Sequence, residues 1–312
     1  MSSTIDETEQ HTSARIVSAK RSRELRKFLG AMVYLVPSFL IFATFVFVPL
    51  VRTFWLGTQL TDPLGRPAAF VGLRQYESLF SQPDFLNSFL RSLQFALYTV
   101  PSTIVVSVLL ASLGNLRLKR IALFRIFFSF PIAVSAATTS LIFMYLFHPA
   151  LGTVNYLLSL VGSKPVPWLV SEATALPAIS ITTVWLQLGL NTIILLAGMQ
   201  DIPEDLYASA RIDGAGSWSL FRNITVPLLT PTLFFLLVID TLADFQTFTQ
   251  VQIMTKGGPV DSTNLLVFSI YRQFYFNGQY GYAAAQSVML FFVMLILTIV
   301  QFGVLERRVH YS

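Results

Sequence analysis

Ile202-Pro203-Glu204-Asp205-Leu206-Tyr207-Ala208-Ser209-Ala210-Arg211-Ile212-Asp213-Gly214-Ala215-Gly216 is a polar stretch wedged between two long apolar runs, with Ile224, Pro227 and Pro231 behind it. Between membrane-length runs such a segment must lie on one side of a bilayer, where a short amphipathic hairpin can meet a partner. Pro203 suits a first helical position, Glu204 and Asp205 sit where the positive end of a helix dipole favours acids, and Gly214 reads as a C-terminal stop. The pattern predicts a helix of about three turns. A second short helix over 217–224 then returns the chain to the membrane at Pro227. Leu206, Ala210 and Tyr207 fall on one face at the spacing of a helix anchored in a partner's groove. The residues alone leave a second reading open, a loop resting on the lipid surface.

Working outward, apolar residues make up 54% of the 312-residue chain and charged residues 12%, about half the charge share of an ordinary soluble domain. The class is therefore integral membrane and all-α, with lipid as a partner along the spans. A helix needs about 20 residues to cross a hydrocarbon core of about 30 Å. Six runs meet that length, at Phe28–Val51, Phe89–Leu113, Leu123–Phe147, Leu176–Met199, Val226–Val251 and Tyr282–Leu305. The first is too long for a signal peptide and has no small-residue cleavage site, so it is expected to remain as a helix. Prolines 37, 49, 101, 131, 177, 227 and 231 lie in or at the ends of these runs, where neighbouring helices can satisfy freed carbonyls.

The formal charge of +5 does not point to nucleic acid, because the basic residues flank the apolar runs instead of sharing one polar face. One side collects Arg15, Lys20, Arg21, Arg23, Arg26, Lys27, Arg117, Lys119, Arg120, Arg125, Arg211, Arg222, Arg307 and Arg308. The other has Arg52, Arg66, Arg74, Lys164, Lys256 and Arg272. This bias predicts cytoplasmic N- and C-termini and a cytoplasmic 202 loop. Residues 1–27 read as a disordered cytoplasmic tail, and 28–312 as one six-helix domain with its coupling loop at 200–225.

No ATP-binding site is read on this chain. No Gly-rich phosphate loop of the Walker type is present, and Lys256-Gly257-Gly258-Pro259 lacks the following Lys-Ser/Thr and falls on the opposite side from the 202 loop. Catalysis is not expected: His11, His148 and His310 are scattered, no Ser, His and acid share a location, and the chain has no cysteine. The expectations are no cofactor, no metal and no catalytic residue on this chain, with ATP and Mg held by a partner. An ion-coupled secondary transporter is the alternative of a different class, although no internal inverted repeat is evident.

The loop resembles the EAA loop of ABC-importer permeases. Ala208-Ser209-Ala210, Asp213-Gly214, and Ile224, Val226 and Pro227 fall at that family's spacing, with Ala208 where the family has Glu. Asp244-Phe245-Gln246-Thr247-Phe248 with Met254-Thr255-Lys256-Gly257-Gly258-Pro259, and Phe70-Val71-Gly72-Leu73-Arg74-Gln75-Tyr76, are similar to segments of the carbohydrate-importer permeases. Asp62-Pro63-Leu64-Gly65, the run from Ala284-Ala285-Gln286-Ser287-Val288 and the closing Glu306-Arg307-Arg308-Val309-His310-Tyr311 look closest to the glycerol-3-phosphate branch. The resemblance implies a six-helix permease of the bacterial inner membrane. It also implies a second, different permease, two ATPase subunits and an extracytoplasmic solute-binding protein, with Leu206, Tyr207, Ala208, Ala210, Asp213 and Gly214 carrying the coupling.

Candidates for the solute pathway come from polarity within the spans. Asp240 and Asp244 lie four apart on the fifth run, Gln187 and Asn191 four apart on the fourth, Gln246 and Gln250 continue the fifth, and Gln286 begins the sixth. An acid in a span is a functional candidate because leaving it in lipid costs about 3 kcal/mol or more. Each of these residues can equally join two helices. The chemistry and the resemblance diverge on the solute. A phosphate calls for Arg or Lys, yet Arg91 is the one basic residue near a span interior. Glycerol-3-phosphate or a glycerophosphodiester stands first, and a neutral oligosaccharide or polyol second.

Overall fold

The computed structural model describes Lys27 and residues 30–116 and 118–305. The expectations for the tail before Lys27 and for Glu306–Tyr311 lie outside these residues. Helix α1, Gly30–Leu56, is long and apolar enough to cross a membrane, contains a π-helical turn at Ala43–Phe47, and exposes almost every side chain to Trp55. It ends five residues later than the first apolar run.

From Leu56 onward the chain forms a second compact unit. It begins with a hairpin that the apolar runs did not announce. Strands β1 (Gln59–Thr61) and β2 (Pro67–Phe70) pair antiparallel, Gln59 opposite Phe70 and Leu60 opposite Ala69. The turn between them is held by Asp62, whose Oδ1 accepts from the backbone N–H of Leu64 at 3.0 Å and of Arg66 at 2.7 Å. Short helix α2 (Arg74–Ser81) leads into α3 (Pro83–Gly114), a 32-residue helix that starts on a proline, where a missing N–H costs nothing.

The third run is not one helix. Helix α4 (Ile121–Ser129) runs into a 3₁₀ turn at Phe130–Ala133, and α5 (Ala136–Leu146) leaves it at 102°. Pro131 sits in that turn, Val134 is extended, and Ser135 restarts the helix by accepting the N–H of Thr138 at 3.2 Å. Helix α6 (Thr153–Leu160) follows, then the continuous α7 (Glu172–Gln200). The polar stretch forms α8 (Glu204–Ile212) and α9 (Ser217–Leu228), the latter with a π-helical turn at Phe221–Thr225.

The fifth run is likewise corrected. Helix α10 (Thr230–Phe245) is bent by 64° from α9 at Leu229 and stops at Phe245 rather than Val251. Gln250 belongs to a separate helix, α11 (Thr249–Met254). Then come α12 (Leu266–Tyr271), extended by a π-helical turn to Phe276, and α13 (Tyr280–Leu305). Among the described residues four helices are thus long and apolar enough to span a membrane, and up to six spans result when each bent pair counts as one.

Helices α3, α7 and α10 pack together as the centre of this unit. One apolar cluster, with Phe95, Leu176, Ile179, Val251 and Phe268, fills the end near α11 and α12. Another, with Ala111, Leu195, Met199, Leu229 and Leu236, fills the end that carries the α8–α9 hairpin. The polar residues of the three helices lie between these two clusters.

Candidate functional site

Two features stand out: a row of polar side chains inside the bundle, and the hairpin at its end. The row follows from the i, i+4 spacing of the sequence, which stacks Thr99 and Thr103 on α3, Gln187 and Asn191 on α7, and Asp240 and Asp244 on α10. The Gln187 amide donates to Asp244 Oδ1 at 2.8 Å, and the Thr103 hydroxyl donates to Gln187 Oε1 at 3.1 Å. Thr99 also donates to Asp244 Oδ2. One turn along, Asn191 donates to Asp240 Oδ2 at 2.6 Å. Asp240, Asp244, Asn191, Thr99 and Thr103 are all buried. In this arrangement both carboxylates tie helices together. Neither faces an open passage.

The other pathway candidates are dispersed. Gln286 is fully buried on α13, with its amide 3.5 Å from Ser269 Oγ on α12 and its Oε1 unpartnered. Gln246 is exposed just past the end of α10 and donates back to Leu242 O at 3.1 Å. Only Gln187, Asn191, Asp240 and Asp244 come together.

Asp244 accepts from two helices, so the side chain that replaces it decides the outcome. The single Thr99 proton can serve Phe95 O, 2.7 Å away, or Asp244, but not both. An asparagine can accept from Gln187 and donate to Thr99 in turn. Asp244→Asn should therefore shift the melting temperature of the purified complex little. Asp244→Leu orphans both partners and should destabilise it by about 1–3 kcal/mol, given about 0.6 and at most about 1.7 kcal/mol per interhelical bond in membranes. Equal melting of the two variants would show that the bonds do not hold the helices.

The hairpin presents its residues in two directions. On α8 and in the turn after it, Leu206, Ala208, Asp213 and Gly214 are exposed and Ala210 is half-buried. Tyr207 turns inward, packs against the Leu195–Leu229 cluster, and brings its hydroxyl to 3.0 Å from the buried Thr225 Oγ1. Tyr207 thus ties α8 to α9 shortly before the bend at Leu229, while Leu206 at 45% exposure points away. Sequence reading passed over Ile212 and Trp218, exposed at 87% and 71%. An isolated Trp in a polar loop was the available signal, as was an Ile two residues before the stop. Gly214 has φ +82°, and the N–H groups of Gly214 and Ala215 close the helix on Arg211 O and Ala210 O.

At the other end, an open concavity of about 600 Å³ is lined by Met144, His148, Leu169, Met254, Thr255 and Pro259. His148 Nδ1 accepts from the N–H groups of Ala150 and Leu151, which commits it to the turn. Among the described residues no group of His, Cys, Asp or Glu is placed to hold a metal ion.

A helical bundle of membrane-crossing length, polar inside and carrying an exposed two-helix hairpin at one end, has the build of a transport permease. Residues 63–311 match the family of binding-protein-dependent transport system inner membrane components, and the chain belongs to that family. It is 34% identical over 283 residues to the sn-glycerol-3-phosphate transport system permease protein UgpA of Pectobacterium atrosepticum, covering 90% of this chain and 95% of that one. It is 33% identical to the UgpA of Agrobacterium fabrum, covering 88% and 94%. Among solved structures, a bacterial ABC transporter that imports the acidic polysaccharide alginate superposes with a TM-score of 0.76 at 21% identity, over 91% of this chain and 98% of that one. The alginate transporter in complex with its pentasaccharide-bound periplasmic protein gives 0.79 at 20% identity, over 93% and 98%. The chain is an inner-membrane permease of an ABC importer.

Proposed function

We propose that this permease forms half of a translocation pathway for sn-glycerol-3-phosphate or a glycerophosphodiester, the other half coming from a second, different permease. The hairpin α8–α9 lies in the cytoplasm with both termini and docks on one of two separate ATPase subunits, which hold ATP and Mg. Exposed Leu206, Ile212 and Trp218 supply its apolar contact. Glu204, Asp205 and Asp213 stand in for the acid that Ala208 lacks. A solute-binding protein delivers from the opposite side, where the concavity beside His148 opens.

The observation that carries the substrate reading is the likeness to UgpA along nearly the whole of both chains. The polar row answers one chemical objection, the repulsion of an anion by two acids, because Asp240 and Asp244 direct their oxygens at Thr99, Gln187 and Asn191. A neutral oligosaccharide is the second reading, favoured by the absence of a basic side chain from that row.

Proteoliposomes holding the full importer, with ATP inside and binding protein outside, should take up labelled sn-glycerol-3-phosphate and a glycerophosphodiester and ignore a neutral disaccharide. Uptake confined to the disaccharide would reverse the order of the two readings.

A further inference from the structure

Helix α3 carries a single basic side chain, Arg91, near its Pro83 end. At about 1.5 Å per residue the helix is about 48 Å long and Arg91 lies about 12 Å along it. A hydrocarbon core of about 30 Å centred on the helix would then begin near Arg91. Among the described residues no carboxylate pairs with it. An unpaired guanidinium at that depth is costly, and the usual relief is to extend toward the nearer water.

Arg91 does the opposite. Its Nη1 donates to Gln94 Oε1 at 2.9 Å, one turn deeper, and Gln94 Nε2 donates to Tyr98 Oη at 2.8 Å, one turn deeper again. The relay has a direction. Gln94 has its oxygen toward the cation and its amide toward the phenol, so the Tyr98 proton is left to point onward, and the guanidinium keeps further N–H groups beyond the one given to Gln94. The surrounding face is apolar, with Leu90, Leu97 and Val105 exposed beside the row. The result is a row of oriented donors at i, i+3 and i+7, without an anion of its own.

We propose that Arg91, oriented by Gln94 and Tyr98, is a recognition point for a phosphate ester on the membrane-embedded surface of α3. The guanidinium fork matches two phosphate oxygens, and Gln94, braced by Tyr98, holds the fork in place. The ester belongs either to the crossing solute or to a phospholipid headgroup. The solute case rests on the substrate reading above; the lipid case does not.

The test uses the complete importer in proteoliposomes as wild type, Arg91→Gln, Arg91→Lys and Tyr98→Phe, with subunit stoichiometry as the assembly check. Initial uptake rates are measured against sn-glycerol-3-phosphate concentration, and phosphorus retained per complex is counted after a detergent wash. If the solute is bound, Arg91→Gln raises KM about tenfold or more with retained phosphorus unchanged. Arg91→Lys falls between, because it keeps the charge and loses the fork. If a headgroup is bound, Arg91→Gln lowers retained phosphorus, and transport of every solute falls alike. Unchanged KM and unchanged phosphorus in an assembled Arg91→Gln complex overturn the proposal. A wild type that carries only a neutral disaccharide overturns the substrate reading instead, and leaves the phosphorus count to decide the role of Arg91.

Discussion

Gly214→Pro is expected to lower ATP-driven uptake by more than tenfold while the spans still insert. Gly214 has φ +82°, in the left-handed region, and proline is confined near −65°. The substitution also removes the Gly214 N–H, which donates to Arg211 O at 3.0 Å and ends α8. The angular misfit and the lost bond together cost about 3 kcal/mol or more, and they act between α8 and α9, where a docked hairpin has to hold its shape. No heavy atom lies within 4 Å of a Cβ placed on Gly214, so a clash adds nothing. Gly214→Ala accordingly meets only the backbone strain, about 1 kcal/mol, and should keep most of the uptake. Comparing solute transported per ATP hydrolysed in the two variants checks the point; normal coupled uptake by the proline variant would remove the hairpin from the coupling role.

The second large effect lies at the opposite end, where α13 begins. A Cβ on Gly281 would collide with the carbonyl oxygen of Gln59 and come to 2.7 Å from Gln75 Nε2. Those two atoms are already joined by a buried hydrogen bond of 2.8 Å, and Gly281 N–H donates to Thr61 Oγ1 at 3.2 Å. The hairpin β1–β2 is thus stitched to α13 through the place where a side chain would go. Backbone cannot step aside as a flexible side chain can. Gly281→Ala should cost about 2–6 kcal/mol, combining overpacking with one or two broken buried bonds. A fall of several degrees in the melting temperature of the purified complex, with earlier proteolysis in the 59–70 hairpin, is the expected result. Unchanged melting would mean that the hairpin is not seated on α13.

Why some of this was legible and some was not follows from what a period or a composition records. Apolar length and flanking charge report how many times a chain can cross, so all six crossings were visible. They carry no information about direction within a crossing. The 102° turn at Phe130–Ala133 looks apolar throughout, and Pro131 followed by Ser135 hints at a restart without giving an angle. The end of α10 at Phe245 has neither glycine nor proline to mark it, so Gln250 was read onto the wrong helix. The stretch Asp62-Pro63-Leu64-Gly65 registers in the sequence only through its resemblance, because its flanking strands of three and four residues are too short for an alternating pattern. In the polar row, spacing showed that Gln187 pairs in register with Asn191, and Asp240 with Asp244. Which helix each would meet depends on packing across long separations, and a single sequence does not record that.

The link between Tyr207 and Thr225 acquires a mechanical meaning from its position beside the 64° bend at Leu229. Helix α10 starts at that bend and carries Asp244 about 21 Å along its axis. Taken as a rigid rod, it is a lever with its pivot at Leu229. A tilt of about 10° about the pivot carries Asp244 sideways by about 4 Å over that length. The bonds joining Asp240 and Asp244 to Asn191 and Gln187 are 2.6 and 2.8 Å long, and with α7 and its rotamers fixed a displacement of that size takes Asp244 out of hydrogen-bond reach. A hairpin that swings α10 by this much therefore opens the polar row, and one that leaves the row shut has moved α10 by less.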